Sequence, residues 1–97
     1  MQKTALHTLC IALEGELDHH NAPALRRKLD AALDRSRCGL ILDFSRVTLM
    51  DSSGIGLLIG RYKRAKDRGG KLYVQNVSPH IDKLFRMSGL YSIIEKL

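Results

Sequence analysis

The residues best placed by type and spacing to do chemistry are Met50-Asp51-Ser52-Ser53-Gly54-Ile55-Gly56. They set two hydroxyls beside a carboxylate at what the surrounding pattern makes the start of a helix. Free amides and the helix dipole favour an anion at such a point, by roughly 0.3–1 kcal/mol when it is exposed. A serine phosphorylated here would leave the helix folded. Its effect would fall on whatever docks against the helix end. On spacing alone, the plainer role of an N-cap at Ser52 or Ser53 outweighs that one, and spacing does not separate the two serines as acceptors.

Other chemistries fit less well. Gly54-Ile55-Gly56 is followed by Gly60 and not by a glycine at position 59, so the dinucleotide fingerprint fails by register, and no GxxxxGK[ST] stretch occurs. Gly56 and Gly60, four apart on one helix, are expected to allow close packing against a sheet. A hydrolytic serine needs a nearby base, to be found among His7, His19, His20 and His80, and there is no GxSxG elbow. Asp18-His19-His20 makes a poor metal site, because adjacent side chains on a turn diverge and a fourth ligand is not evident. It reads as a polar loop and helix cap. No metal or cofactor is called for. Cys10 reads as core filler and Cys38 as the end of a helix. Their separation, outside any CxxC spacing, fits a reducing cytosol.

These residues need elements to hold them. Residues 9–13 form a short apolar run ending at Glu14-Gly15, expected to be a buried strand. Residues 2–7 could pair with it as an antiparallel edge strand. Asn21 is the expected N-cap of a helix with Pro23 in its first turn, Leu25, Leu29, Ala32 and Leu33 on its buried face, and Gly39 as its left-handed cap. Residues 40–44 read as a central strand. A second helix is expected from Asp51-Ser52 to about Arg68, buried through Ile55, Leu58, Ile59, Tyr62 and Ala65. Lys71 to Val77 alternates as a strand. Ser78-Pro79 opens a third helix with a face of Ile81, Leu84, Phe85 and Met87, closed by Gly89-Leu90 in a Schellman arrangement. Ile93-Ile94 suits a last short strand. The alternation indicates an α/β fold, with a mixed, mostly parallel sheet of four or five strands and helices packed to one side.

Composition bounds the rest. At 97 residues the chain is expected to be a single domain over 1–97, and 44% hydrophobic residues is too many for a disordered one. Leu9 to Leu13 is far too short to span a bilayer or serve as a secretory signal, which points to a cytoplasmic protein without a membrane partner. A net charge of +6 raises the question of nucleic acid. Yet there are only five Phe and Tyr and no Trp to stack on bases, and the cations are spread over Arg26-Arg27-Lys28, Arg61 to Lys71 and Lys83/Arg86. They read as solvated helix faces, with no nucleic-acid partner.

Taken together, Gly15-Glu16-Leu17-Asp18-His19-His20, Met50 to Gly56 with Gly60-Arg61-Tyr62-Lys63, and Met87-Ser88-Gly89-Leu90 resemble the STAS domain family, most of all its anti-sigma factor antagonists of the sporulation type. The resemblance runs from about Leu9 to Ile94. It implies a non-enzymatic switch protein, monomeric when free, whose unphosphorylated form binds an ATP-bound anti-sigma factor that is also a serine kinase. Binding would release sporulation sigma factor F. Phosphorylation would fall on Ser52, the first serine of the motif, and a PP2C-type phosphatase would reset it. Asp18 matches the family's loop aspartate beside that serine. Partner contact would involve Asp18, Asp51, Ser52, Ser53, Gly54, Ile55, Leu57 and Arg61, with Leu57, Arg61 and Arg64 expected on the exposed face of the helix. The alternatives are a STAS-type module that binds a nucleotide directly, a general stress-response regulator, a serine hydrolase and a basic nucleic-acid binder. Family members usually continue into a terminal helix where this chain stops at Leu97, which suggests a compact or truncated member.

Overall fold

A computed structural model of the chain describes residues 8–36 and 38–97. In order, the elements are β1 (Leu9–Leu17), α1 (Ala22–Arg35), β2 (Gly39–Met50), α2 (Ser52–Asp67), β3 (Lys71–Gln75), α3 (Pro79–Ser88), a 3-10 turn over Leu90–Ser92 and β4 (Glu95–Lys96). The four strands are parallel and neighbour one another in chain order. Right-handed crossovers between successive neighbours put every connecting helix on one face of the sheet. This is the expected α/β architecture, with four strands among the described residues. The antiparallel edge strand expected over about residues 2–7 lies outside the described residues.

β1 and β2 run further than their patterning suggests. Their ladder starts with Leu9↔Leu40, shifts after Ala12↔Asp43 and again after Gly15↔Val47, and ends with Leu17↔Met50. β2 supplies one extra residue at each shift. A bulge of this kind sends the side chains that follow to the other face of the sheet. The inward positions of β2 are therefore Leu40, Leu42 and Phe44, two apart, then Val47 and Met50, three apart, and all five are buried. Alternation ceases to be visible at Phe44, where the strand was expected to end. On β1, Gly15 takes a φ of 73° at the second shift, so the strand continues through the Glu14-Gly15 pair expected to close it.

Gly39 opens β2; it does not cap α1. The helix ends at Ser36, whose hydroxyl donates to the Gly39 carbonyl at 2.7 Å. Gly39 has a φ of 108°, and a Cβ there would lie 1.7 Å from the Lys71 carbonyl oxygen. Only glycine fits where β2 and β3 begin side by side.

The core fills the space between the helices and the inward strand positions, centred on Leu13, Leu29, Leu42, Leu58, Val74 and Phe85. Phe44, Phe85 and Tyr91 stack edge to face in series, with centroids 5.4 and 5.6 Å apart. Ser78 caps α3 by accepting the Ile81 amide, and Gly89 closes it with a φ of 77° over a buried Leu90, both as expected. Met87 was expected on the buried face of α3 but is 77% exposed, since two residues beyond Phe85 it turns to the opposite side. The last strand is Glu95–Lys96, while Ile94 drops into the core. Cys10 is exposed on the uncovered face of the sheet, where alternation from the inward Leu9 and Ile11 puts it; it does not fill the core. Cys38 sits half-buried in the turn after α1.

Asp82 ties α3 to the chain end. Its carboxylate accepts from the Tyr91 hydroxyl at 2.6 Å, Arg86 Nε at 2.7 Å and Lys96 Nζ at 2.9 Å. Those three donors, Tyr91 foremost, hold the Asp82 carboxyl well below the usual carboxylate range. Burial, with the Asp82 charge beside it, pushes the Tyr91 phenol up.

Candidate functional site

The strand pair β1–β2 ends at Leu17↔Met50, so Asp18 and Asp51 leave the sheet side by side. The Asp51 amide donates to the Leu17 carbonyl at 3.3 Å and fixes that proximity. Each aspartate then organises a turn. Asp51 is the N-cap of α2: its Oδ1 accepts the Ser53 amide at 2.8 Å, and its carbonyl accepts the amides of Gly54 and Ile55. Asp18 Oδ1 accepts the Asn21 amide at 2.9 Å, and its carbonyl accepts from Ala22 at 2.9 Å. The Asn21 side chain, the expected cap of α1, donates instead to the Glu16 carbonyl at 3.0 Å.

With Asp51 as the cap, neither serine has that role. Ser52 is exposed, and its hydroxyl makes no hydrogen bond among the described residues. Ser53 and Ile55 are half-buried. Gly54 is buried, and a Cβ on it would come within 2.8 Å of Met50 and 3.0 Å of the Leu17 carbonyl. The first turn of α2 thus rides directly on the paired strand ends, and this presses Ser52 outward. His19 and His20 are exposed on the neighbouring turn.

Two sequence expectations fail along α2. Leu57 and Arg61 were expected on the exposed face but are only 8% and 7% exposed. The fully covered stripe is Gly54, Leu57, Leu58, Arg61 and Ala65, with Ile55, Ile59 and Tyr62 half-buried. The cause is α1, which packs along the flank of α2 and widens the buried arc beyond the side facing the sheet. Arg64 is half-buried as well. Gly56 and Gly60 do not serve close packing, because a Cβ on either would meet nothing within 4 Å.

The cations of α1 and α2 also do more than solvate helix faces. Asp30 lies 3.1 Å from Arg61 Nε, 3.4 Å from Arg64 Nε and 3.9 Å from Arg26 Nε. Asp34 accepts from Arg64 at 3.2 Å and contacts Arg68 at 2.6 Å, and these arginines hold its carboxyl below the usual range. Burial pulls the Arg61 guanidinium down from its ordinary value, opposed by Asp30 and reinforced by Arg26 and Arg64. Spacing within one helix signals only the Arg26–Asp30 pair; the others join residues of two helices, which periodicity in either one does not show. Among the described residues, no group of three or more His, Cys, Asp or Glu could hold a metal, and no helix is long and apolar enough to cross a membrane.

Comparison with known proteins places this geometry. A family model described as the STAS domain matches residues 1–97. The anti-sigma F factor antagonist of Paenibacillus polymyxa is 40% identical over 87 residues, covering 89% of this chain and 74% of the relative. The anti-sigma-B factor antagonist of Bacillus subtilis is 36% identical over 85 residues, covering 88% and 77%. Among solved structures, the anti-sigma factor antagonist SpoIIAA in its unphosphorylated form matches with a TM-score of 0.72 at 32% identity, over 94% of this chain and 79% of that one. The Bacillus cell fate determinant SpoIIAA in its phosphorylated form matches with a TM-score of 0.71 at 35% identity, over 94% and 83%.

Proposed function

The chain belongs to the STAS domain family, and from that premise we propose that it is an anti-sigma factor antagonist switched by phosphorylation of Ser52. Unphosphorylated, it binds an anti-sigma factor that is also an ATP-bound serine kinase, and that binding frees the sigma factor. The kinase then makes a bond from Ser52 Oγ to the γ-phosphorus of ATP. The β–γ bridging bond breaks, ADP leaves, and the hydroxyl proton passes to a base on the kinase. The modified chain dissociates. A PP2C-type phosphatase restores it by directing water onto the phosphoserine, releasing inorganic phosphate. The chain is a substrate in this cycle and not a catalyst. It works as a single cytoplasmic domain over residues 1–97, monomeric when free.

One observation carries the reading: Ser52 is exposed and free of capping duty at the start of α2, directly after Asp51 and beside the paired strand end that leads into Asp18. A phosphoryl group adds about −1.5 to −2 charges there. In a docked interface that charge must be desolvated or meet like charge, and a loss of about 3 kcal/mol weakens binding roughly a hundredfold. Asp18, Asp51, Ser52, Ser53 and Ile55 form the proposed contact face. Gly54, Leu57 and Arg61, all buried, shape it from beneath.

Sigma factor F is the proposed target, supported by the Paenibacillus polymyxa relative and the Gly15 to His20 stretch. The Bacillus subtilis relative named for sigma-B favours a second reading, a stress-response regulator built on the same switch. The test is equilibrium binding of this chain, and of Ser52→Asp, to the two candidate anti-sigma factors. The proposal expects tight binding to the F-type partner, at least thirtyfold weaker for Ser52→Asp. Binding to the B-type partner alone would establish the second reading.

A further inference from the structure

We infer that the groove between α1 and α2 receives an acidic helix of the anti-sigma partner. The inference rests on the function proposed above and names the chemistry of the partner's contact. The groove measures about 520 Å³ and runs between Arg26 and Arg27 of α1 and Gly56, Leu57, Gly60 and Arg61 of α2. Ser53, the neighbour of the proposed acceptor, also lines it.

Its charge is unbalanced. Arg26, Arg61 and Arg64 share the carboxylate of Asp30, Arg64 and Arg68 share that of Asp34, and Arg27 has no carboxylate partner among the described residues. Arg61 is 7% exposed and is held in the groove wall by its ion pair to Asp30, 3.1 Å away. Five arginines thus stand against two carboxylates, and the groove itself is lined by three of those arginines and by no acidic residue, which favours an incoming anion.

The lining residues indicate which anion. They include no aromatic ring, so a nucleotide base has nothing to stack on. Gly56 and Gly60 lie four apart on one face of α2 and meet no neighbour, so they are not kept small by packing within this chain. They leave bare backbone along the groove, which permits the close approach a second helix needs. A helix also presents Glu or Asp at three- and four-residue spacing on one face. Seated here, such a helix would pair with Arg26, Arg27 and Arg61 while holding the kinase beside Ser52.

The test is equilibrium titration of the full chain with its candidate anti-sigma kinase at low and at physiological salt. Wild type is compared with Arg26→Glu/Arg27→Glu and with Gly60→Leu, and thermal melting of each variant verifies the fold. The double reversal is expected to weaken binding about thirtyfold or more and to flatten its salt dependence. Gly60→Leu is expected to weaken binding about tenfold while keeping or raising Tm, because leucine is the better helix former. Wild-type binding with both folded variants within twofold of it would overturn the groove inference and leave the antagonist reading standing. Failure of wild type to bind would overturn both. Saturable binding of GTP, abolished by the same substitutions, would overturn the helix as occupant and make the groove a nucleotide site.

Discussion

The amide of Asp51 donates to the carbonyl of Leu17 across two neighbouring strand ends, at 3.3 Å. This bond sets the first turn of α2 beside the turn that opens with Asp18, and Gly54 keeps the two in contact. Two bulges on β2 make it possible, since they carry the strand from Phe44 to Met50 with its inward face intact. The exposed hydroxyl of Ser52 follows from this framework, and capping by Asp51 leaves it free.

Asp51→Ala removes that cap and is expected to lower stability by roughly 1 kcal/mol. Ser52→Ala, which removes an exposed hydroxyl with no hydrogen bond among the described residues, should stay within about 0.5 kcal/mol of wild type. Urea melts of the two variants check the assignment. Reversal of their order would place the cap on the serine.

Leu57 distinguishes a buried helix flank from an exposed one. Leu57→Ala is expected to cost roughly 2–4 kcal/mol, as for a leucine inside a packed core. A surface leucine would lose under about 0.5 kcal/mol, so the shift in the urea midpoint separates the two.

Glycines in this chain differ sharply in what they tolerate. Gly39→Ala forces a Cβ into the Lys71 carbonyl at a positive φ and is expected to cost roughly 3 kcal/mol or more. Gly60→Ala sits in open space on a helix and is expected to gain roughly 0.5–1 kcal/mol. Thermal melts of the pair should move in opposite directions.

The same contrast shows what the sequence could and could not convey. Strand and helix order, the α2 start, and the Ser78 and Gly89 caps were legible, because local patterning and capping residues dictate them. The second half of β2 was hidden, since its bulges replace a period of two by one of three and Val47 and Met50 then match no template. Leu57 and Arg61 were misplaced because a helical wheel shows one apolar stripe and cannot reveal a second helix packed on its flank. Cys10 looked like core in a run of apolar neighbours, although alternation alone sends it to the other face. The Asp30 cluster depends on two helices meeting, which periodicity within either one does not encode.

Asp82 should make acid stability depend on the chain end. Its carboxyl is held below the ordinary range, so the stability it contributes is fully present above its unfolded value of about 3.9 and is lost as pH falls toward the folded value. Asp82→Asn is therefore expected to lower Tm at pH 7, with the gap to wild type narrowing at pH 3. A gap that is the same at both pH values would show that the three donors do not act through the ionised carboxylate.

The switch itself is tested most directly by intact-mass analysis after incubation with the candidate anti-sigma kinase and ATP, for wild type, Ser52→Ala and Ser53→Ala. The expected result is one added phosphoryl group on wild type and on Ser53→Ala, and none on Ser52→Ala. No added mass on folded wild-type protein, with the kinase active on a control substrate, or a phosphoryl group lost only in Ser53→Ala, would contradict Ser52 as the switch.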